Sequence, residues 1–123
     1  MADANLQGAS ARYTKFAMTT LVGANLHGVD FTCAALAFAN LGNVTMSSGS
    51  FRGAYLPSAR FDGAELDHVD FAGADLDGAD FSGATLLDIG LVGATWNAET
   101  TWPEGFVPPA GPSRTSRTMC RPN

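Results

Sequence analysis

Two stretches have the spacing of ligand-binding loops. Asp75-Leu76-Asp77-Gly78-Ala79-Asp80 alternates carboxylates as a calcium loop does, where several oxygens converge on one ion. Gly73 and Gly78, with four residues between them, satisfy part of a phosphate-cradling pattern. Context removes both readings. No Lys-Ser or Lys-Thr follows Gly78, while Asp75 and Asp77 flank the apolar Leu76 and Asp80 lies past a turn. A solvated acidic surface is the expectation. His27 and His68 are far apart; Asp88, twenty residues beyond His68, makes a surface pair with it rather than a catalytic dyad or metal site. Cys33 has neither His nor a second Cys at ligand spacing, and Cys33 and Cys120 are too few and too distant to read as a disulfide framework. No set of residues supplies a nucleophile, a base and an oxyanion site together. The expectation is no enzyme activity, no metal and no cofactor.

Composition narrows the classes further. The 123 residues include 34 Ala and Gly, which makes a core of large side chains look thin. One domain is expected at this length. No stretch approaches the ~20 consecutive apolar residues of a membrane-spanning helix, and residues 1–26 lack the basic start and apolar run of a secretory signal. A cytoplasmic protein without membrane contact is therefore expected. Net charge −5 argues against direct nucleic-acid binding, which needs clustered Lys and Arg.

A five-residue repeat accounts for the composition. Stepping by five from Leu6 to Trp96 gives nineteen positions, eighteen of them Leu, Phe, Met or Trp. Two residues before each stands a small residue, Ala at twelve of nineteen; two residues after each, nine of nineteen are Gly. The residue between the small and large columns is usually polar, as in Asn25, Asp30, Asn40, Glu65, Asp75 and Asp80. A period of five smears around a helix and alternates faces along a strand. It fits a short extended piece followed by a corner. The small and large residues, two apart, both point inward and the polar residue between them points out. Glycine two residues past the centre occupies the third position of a type II turn, which requires positive φ. Cys33 is expected to be a plain corner residue.

Residue identity indicates four pentads per coil. At a separation of twenty, Phe31, Phe51 and Phe71 stack, as do Phe61 and Phe81, and Leu36, Leu56 and Leu76. A further stack holds Leu6, Leu26, Met46, Leu66 and Leu86, whereas a separation of fifteen mixes types, setting Phe51 on Leu66. The expected core is therefore Leu26, Phe31, Leu36, Phe51, Leu56, Phe61, Leu66, Phe71, Leu76, Phe81, Leu86 and Trp96.

The run Ala74-Asp75-Leu76-Asp77-Gly78-Ala79-Asp80-Phe81-Ser82-Gly83 resembles the pentapeptide-repeat family, and the resemblance extends from residue 4 to about 98. It implies an all-β fold, a right-handed quadrilateral (four-sided) β-helix solenoid of about five coils. Residues 1–98 are assigned to the β-helix, 99–106 to a closing segment like those that often follow such repeats, and 107–123 to a disordered tail rich in Pro and Arg. The repeat is expected to stop after Trp96, with Glu99 and Thr101 in the next inward slots and Trp102 and Phe106 folding over the last coil. The first coil looks soft, because Ala11, Thr14 and Thr19 interrupt its inward columns.

Two outward features are candidate partner contacts. Met18 and Phe38 share a corner column and form an exposed apolar pair. Asp62, Glu65, Asp67, Asp70, Asp75, Asp77 and Asp80 fall within one coil and encircle the rod, with Arg60 placed to pair with Asp80. The expected function is a non-enzymatic scaffold that presents rigid faces to an unidentified protein partner, with dimerisation possible through exposed coil ends. The resemblance also implies an alternative, since some members protect DNA gyrase from quinolones by imitating duplex DNA. A girdle of acids does not copy phosphates spaced along an axis.

Overall fold

The computed structural model describes residues 3–108 and 120. The expectation of a disordered tail falls, apart from Val107, Pro108 and Cys120, outside these residues.

Parallel pairing at a separation of twenty organises the chain. Asn5 pairs with Asn25, Ser10 with Asp30, Lys15 with Ala35 and Thr20 with Asn40, and the same register continues to Asp75 and Thr95. Stacked positions are thus four pentads apart, as the identity of the columns indicates. In one column the pieces lengthen into three strands, β1 (Thr45–Ser47), β2 (Glu65–Asp67) and β3 (Thr85–Leu87), which form a parallel sheet in that order. Their register sets Met46 over Leu66 and Leu66 over Leu86. No helix occurs among the described residues.

Most corners are hydrogen-bonded turns with a left-handed third residue, while those after β1, β2 and β3, at Ser48, His68 and Asp88, keep the left-handed residue without the turn bond. The Ala9 N–H donates to the Leu6 carbonyl at 2.9 Å, and Ala34 to Phe31 and Ala74 to Phe71 do the same at 3.0 Å. All nine corner glycines have positive φ, as the type II turn demands. So do Tyr13, Met18, Cys33, Phe38, Asn43, Ser48, Ser58, His68 and Asp88 at equivalent corners. For L-residues that conformation costs about 1–2 kcal/mol each. The twenty-residue pairing overrides that cost.

Polar residues before each centre also act on the corner. Carboxylate or amide oxygens of Asn25, Asp30, Asn40, Asp70, Asp75 and Asp80 accept the N–H two residues on. Asp and Asn suit that slot because their short side chains reach back to their own backbone.

Inside, the columns stack. Phe51 lies 5.1 Å from Phe31 and 5.0 Å from Phe71, with rings within 6° of parallel. Phe61 and Phe81 form a second ladder that meets the first edge-on. All the expected core residues from Leu26 to Phe81 are buried, whereas Leu86 and Trp96 are only partly so. Gly49 breaks the small column, and the Met46 side chain fills the space: a Cβ at Gly49 would lie 2.6 Å from its Sδ and Cε.

Three expectations are corrected. The large column does not end at Trp96. One extra residue shifts the register, so Asp80 pairs with Thr101, and Thr100, not Glu99 or Thr101, turns inward. The Thr100 hydroxyl donates to the Leu76 carbonyl at 2.8 Å, which satisfies it within the core. Trp102 then stacks on Phe81 at 5.1 Å with planes 2° apart, and Phe106 stacks on Trp102 at 5.2 Å. Second, Cys33 and Cys120 form a disulfide with Cα atoms 5.5 Å apart. The sequence separation of 87 hid the pairing, because Cys120 lies beyond the repeat and no period places it beside the corner at Cys33. Third, Arg60 stacks beneath Asp80 as expected and its charge contributes to lowering that carboxyl, but its guanidinium makes its direct bonds, two of 3.2 Å, to Asp62 of its own corner. Two residues along one short corner place guanidinium and carboxylate side by side.

The two ends differ. Trp102 and Phe106 cover the C-terminal end, while Leu6 and Phe16 of the first rung remain only partly buried.

Candidate interaction surfaces

The inward positions are apolar apart from a few threonines, of which Thr14 and Thr100 bond backbone carbonyls, so chemistry is sought on outward positions. Asp75, Asp77 and Asp80, which resemble a calcium loop in sequence, do not converge. Asp75 accepts the Asp77 N–H at 3.1 Å, and Asp80 accepts the Ser82 N–H at 2.8 Å and its hydroxyl at 2.5 Å. His27 is a backbone acceptor, its Nδ1 taking the Ser47 N–H at 2.9 Å. His68 lies between two carboxylates, with Nδ1 2.5 Å from Asp67 and Nε2 3.2 Å from Asp88. The two N–H groups of a protonated imidazole would satisfy both. Asp67, His68 and Asp88 offer three ligand atoms within 4.8 Å of one another, on an exposed corner. A shallow groove of about 350 Å³ runs beside this corner, lined by His27, Thr45, Ser47, Glu65, Asp67 and Thr85 among others.

The acidic girdle divides into residues with and without a structural task. Asp70, Asp75 and Asp80 cap corners, Asp70 also pairs with Arg52 at 2.9 Å, and Asp62 pairs with Arg60. Asp67 faces His68, while Glu65 points outward from β2. Hydrogen bonds from the Thr32 and Ser82 side chains hold the Asp30 and Asp80 carboxyls below the ordinary value of 3.8, against burial, which raises them.

Charge is also polarised along the axis. Residues 1–60 hold four Lys or Arg and two acids, whereas residues 61–108 hold ten acids and no Lys or Arg. This asymmetry is present in the sequence, but counting acids within one coil obscures it.

Exposed apolar residues occur in both halves, and three of those in the basic half share one face. Met18 is 78% exposed, Phe38 63% and Tyr55 53%, and all three lie on or beside the column of Lys15, Ala35, Tyr55 and Asp75. The structure therefore brings Met18 and Phe38 together as expected and adds Tyr55, which an outward slot alone does not single out. Tyr13, Leu87 and Val92 are also exposed.

No curated protein matches the chain. Among solved structures it is similar to HetL, a pentapeptide repeat protein involved in heterocyst differentiation regulation in the cyanobacterium Nostoc sp. strain PCC 7120. That likeness has a TM-score of 0.80 and 27% identity over 87% of this chain and 50% of HetL. The chain thus spans half the length of that protein. It is also similar in fold to the pentapeptide repeat protein Rfr23 of Cyanothece 51142 (TM-score 0.55, 22% identity, 82% of this chain and 89% of that one). The pentapeptide repeat protein alr5209 of Nostoc PCC 7120 has a TM-score of 0.56 and 24% identity, over 85% of this chain and 74% of that one. The family profile for pentapeptide repeats matches residues 1–31, 14–47 and 50–86, in eight copies. Together with the five-residue columns and the parallel pairing at twenty, this match shows that the chain belongs to the pentapeptide-repeat family.

Proposed function

We propose that the protein is a non-enzymatic interaction module, a right-handed, four-sided β-helix of about five coils that presents its outer faces to a protein partner. Family membership supports the right-handed sense, and the register of twenty supports four sides. The observation that carries the function is the acidic half, ten carboxylates without one Lys or Arg over residues 61–108. Glu65, Asp67 and Asp88 cap no corner, so fold does not require them there. A field of one sign steers and selects a basic protein surface. The likeness to HetL, a protein involved in regulation, supports a reading of this kind.

The test is capture of host proteins on the wild type and on a Glu65→Gln, Asp67→Asn, Asp88→Asn variant with an unchanged melt. Selective loss of a basic partner is the expected result; an identical partner set on both baits refutes the acidic half as the contact. Imitation of DNA toward gyrase is the second reading that this acidity favours. A supercoiling assay is expected to show neither inhibition nor quinolone protection, because the acids surround the rod instead of tracking its axis.

Compartment is open to a direct check. Disulfides persist mainly outside the reducing cytosol. If the protein is cytoplasmic, alkylation of freshly opened host cells should trap Cys33 and Cys120 as thiols; an intact bond contradicts that location.

A further inference from the structure

One face of the rod is sorted along its axis in a way that makes it complementary to itself. Its central column reads Lys15, Ala35, Tyr55, Asp75, each paired with the next through the backbone. The adjoining corner reads Met18, Phe38, Ser58, Gly78, so large side chains occupy the first two rungs and small ones the next two. Met18 and Phe38 hold φ of +62° and +61°, a left-handed conformation that glycine adopts without strain at nine equivalent corners. Large apolar side chains at strained, exposed corners contribute nothing to the core. Strain of that kind points to a surface role.

We propose that this face binds a second copy of the chain, face to face and antiparallel. A two-fold axis lying in the contact, across the rod between the second and third rungs, maps each column onto itself in reverse order. Lys15, the chain's single lysine, then meets the partner's Asp75, and Ala35 meets the partner's Tyr55. Phe38 packs over the partner's Ser58, and Met18 over the partner's Gly78. Each pair occurs twice. The arrangement also sets the basic half of one rod beside the acidic half of the other. Four rungs about 4.8 Å apart bury roughly 400 Å² per copy, half of a standard interface. An interface of that size falls in the weak, transient class. The proposal goes beyond the module reading and uses a different face, so failure of one leaves the other standing.

Sedimentation equilibrium of the full disulfide-bonded chain from 10 µM to 1 mM at low salt, with Lys15→Glu, Asp75→Lys and the double swap, tests it. Wild type should rise from 12.8 kDa toward twice that mass. Either single substitution places two like-charge pairs across the contact and should weaken association at least tenfold. The double swap should restore it to within about threefold. Lys15→Glu should keep the wild-type melt, since Lys15 lies outside the core; Asp75→Lys and the double swap lose the acceptor of the Asp77 N–H, so all association is read well below their melting midpoints. A constant 12.8 kDa mass overturns the proposal, whether another protein or the chain's own residues 109–119 cover the face. Association indifferent to the single substitutions places the contact at the coil ends and overturns it too. Weakening that the swap does not reverse rules out this two-fold pairing.

Discussion

Replacing Phe71 with Ala should remove a large share of the protein's stability. Phe71 is fully buried and stacks on Phe51 at 5.0 Å, while Phe61 and Phe81 meet its edge at 5.8 and 5.9 Å. Loss of a buried Phe costs about 3–5 kcal/mol, and aromatic pairs add about 0.5–1.5 kcal/mol each beyond area. The upper end applies here because the cavity cannot collapse. Backbone bonds of 2.7 Å from Phe51 to Asp70 and 2.8 Å from Phe71 to Gly90 fix the rungs on either side. About 4–5 kcal/mol should lower the melting midpoint by about 15–30 °C in a domain of this size. Phe16→Ala is the control: Phe16 sits in the open first rung, partly buried, with one ring contact at 5.9 Å to Phe31, and should cost about 1–2 kcal/mol. Thermal and urea melts followed by circular dichroism read both. Equal costs at Phe71 and Phe16, or a Phe71 cost below about 1 kcal/mol, would refute the stacked-column reasoning.

Cleaving the disulfide by Cys120→Ser should cost about 2–4 kcal/mol, because a closed loop of 87 residues restricts the unfolded chain; an unchanged urea midpoint would contradict this. Gly49→Ala should destabilise by about 1–2 kcal/mol through contact with Met46, and Met46→Leu should reverse most of that loss in a double-mutant cycle. Phe38→Gly should raise stability by about 1 kcal/mol while abolishing self-association, since it relieves the corner and removes the contact; a destabilised variant would show that Phe38 packs against the rod. Asp30 and Asp80 have lowered folded-state values, so the stability they add is complete above the unfolded value near 3.8 and is lost as pH falls through the folded one. Asp30→Asn with Asp80→Asn, which retains the corner acceptor, should flatten that acid limb in melts taken below pH 4.

The fold was legible because the chain states its inward positions in side-chain size. Phe31, Phe51 and Phe71 at steps of twenty allow only stacking with four pentads between them, and glycine at the third turn position marks each corner. Where the step of five fails, legibility fails with it. The one-residue shift before Trp102 is invisible to a strict period, so Thr101 looks inward when Thr100 takes that slot. Cys120 lies beyond the repeat, where no period predicts proximity to Cys33. For the surface, residue type alone cannot separate Asp70, Asp75 and Asp80, which cap corners, from Glu65, which points outward from β2. Met18 and Phe38 stood out because they are large residues outside the column; Tyr55 did not, since a tyrosine is ordinary on an outward slot.

Every surface described here depends on the register of twenty, which nuclear Overhauser contacts along the backbone measure directly. Cross-strand contacts should join residues twenty apart around the whole rod, including Ser50 with Asp70 and Tyr55 with Asp75. Contacts at a separation of fifteen, such as Tyr55 with Asp70, would mean three pentads per coil and would dissolve the stacked columns and the self-complementary face.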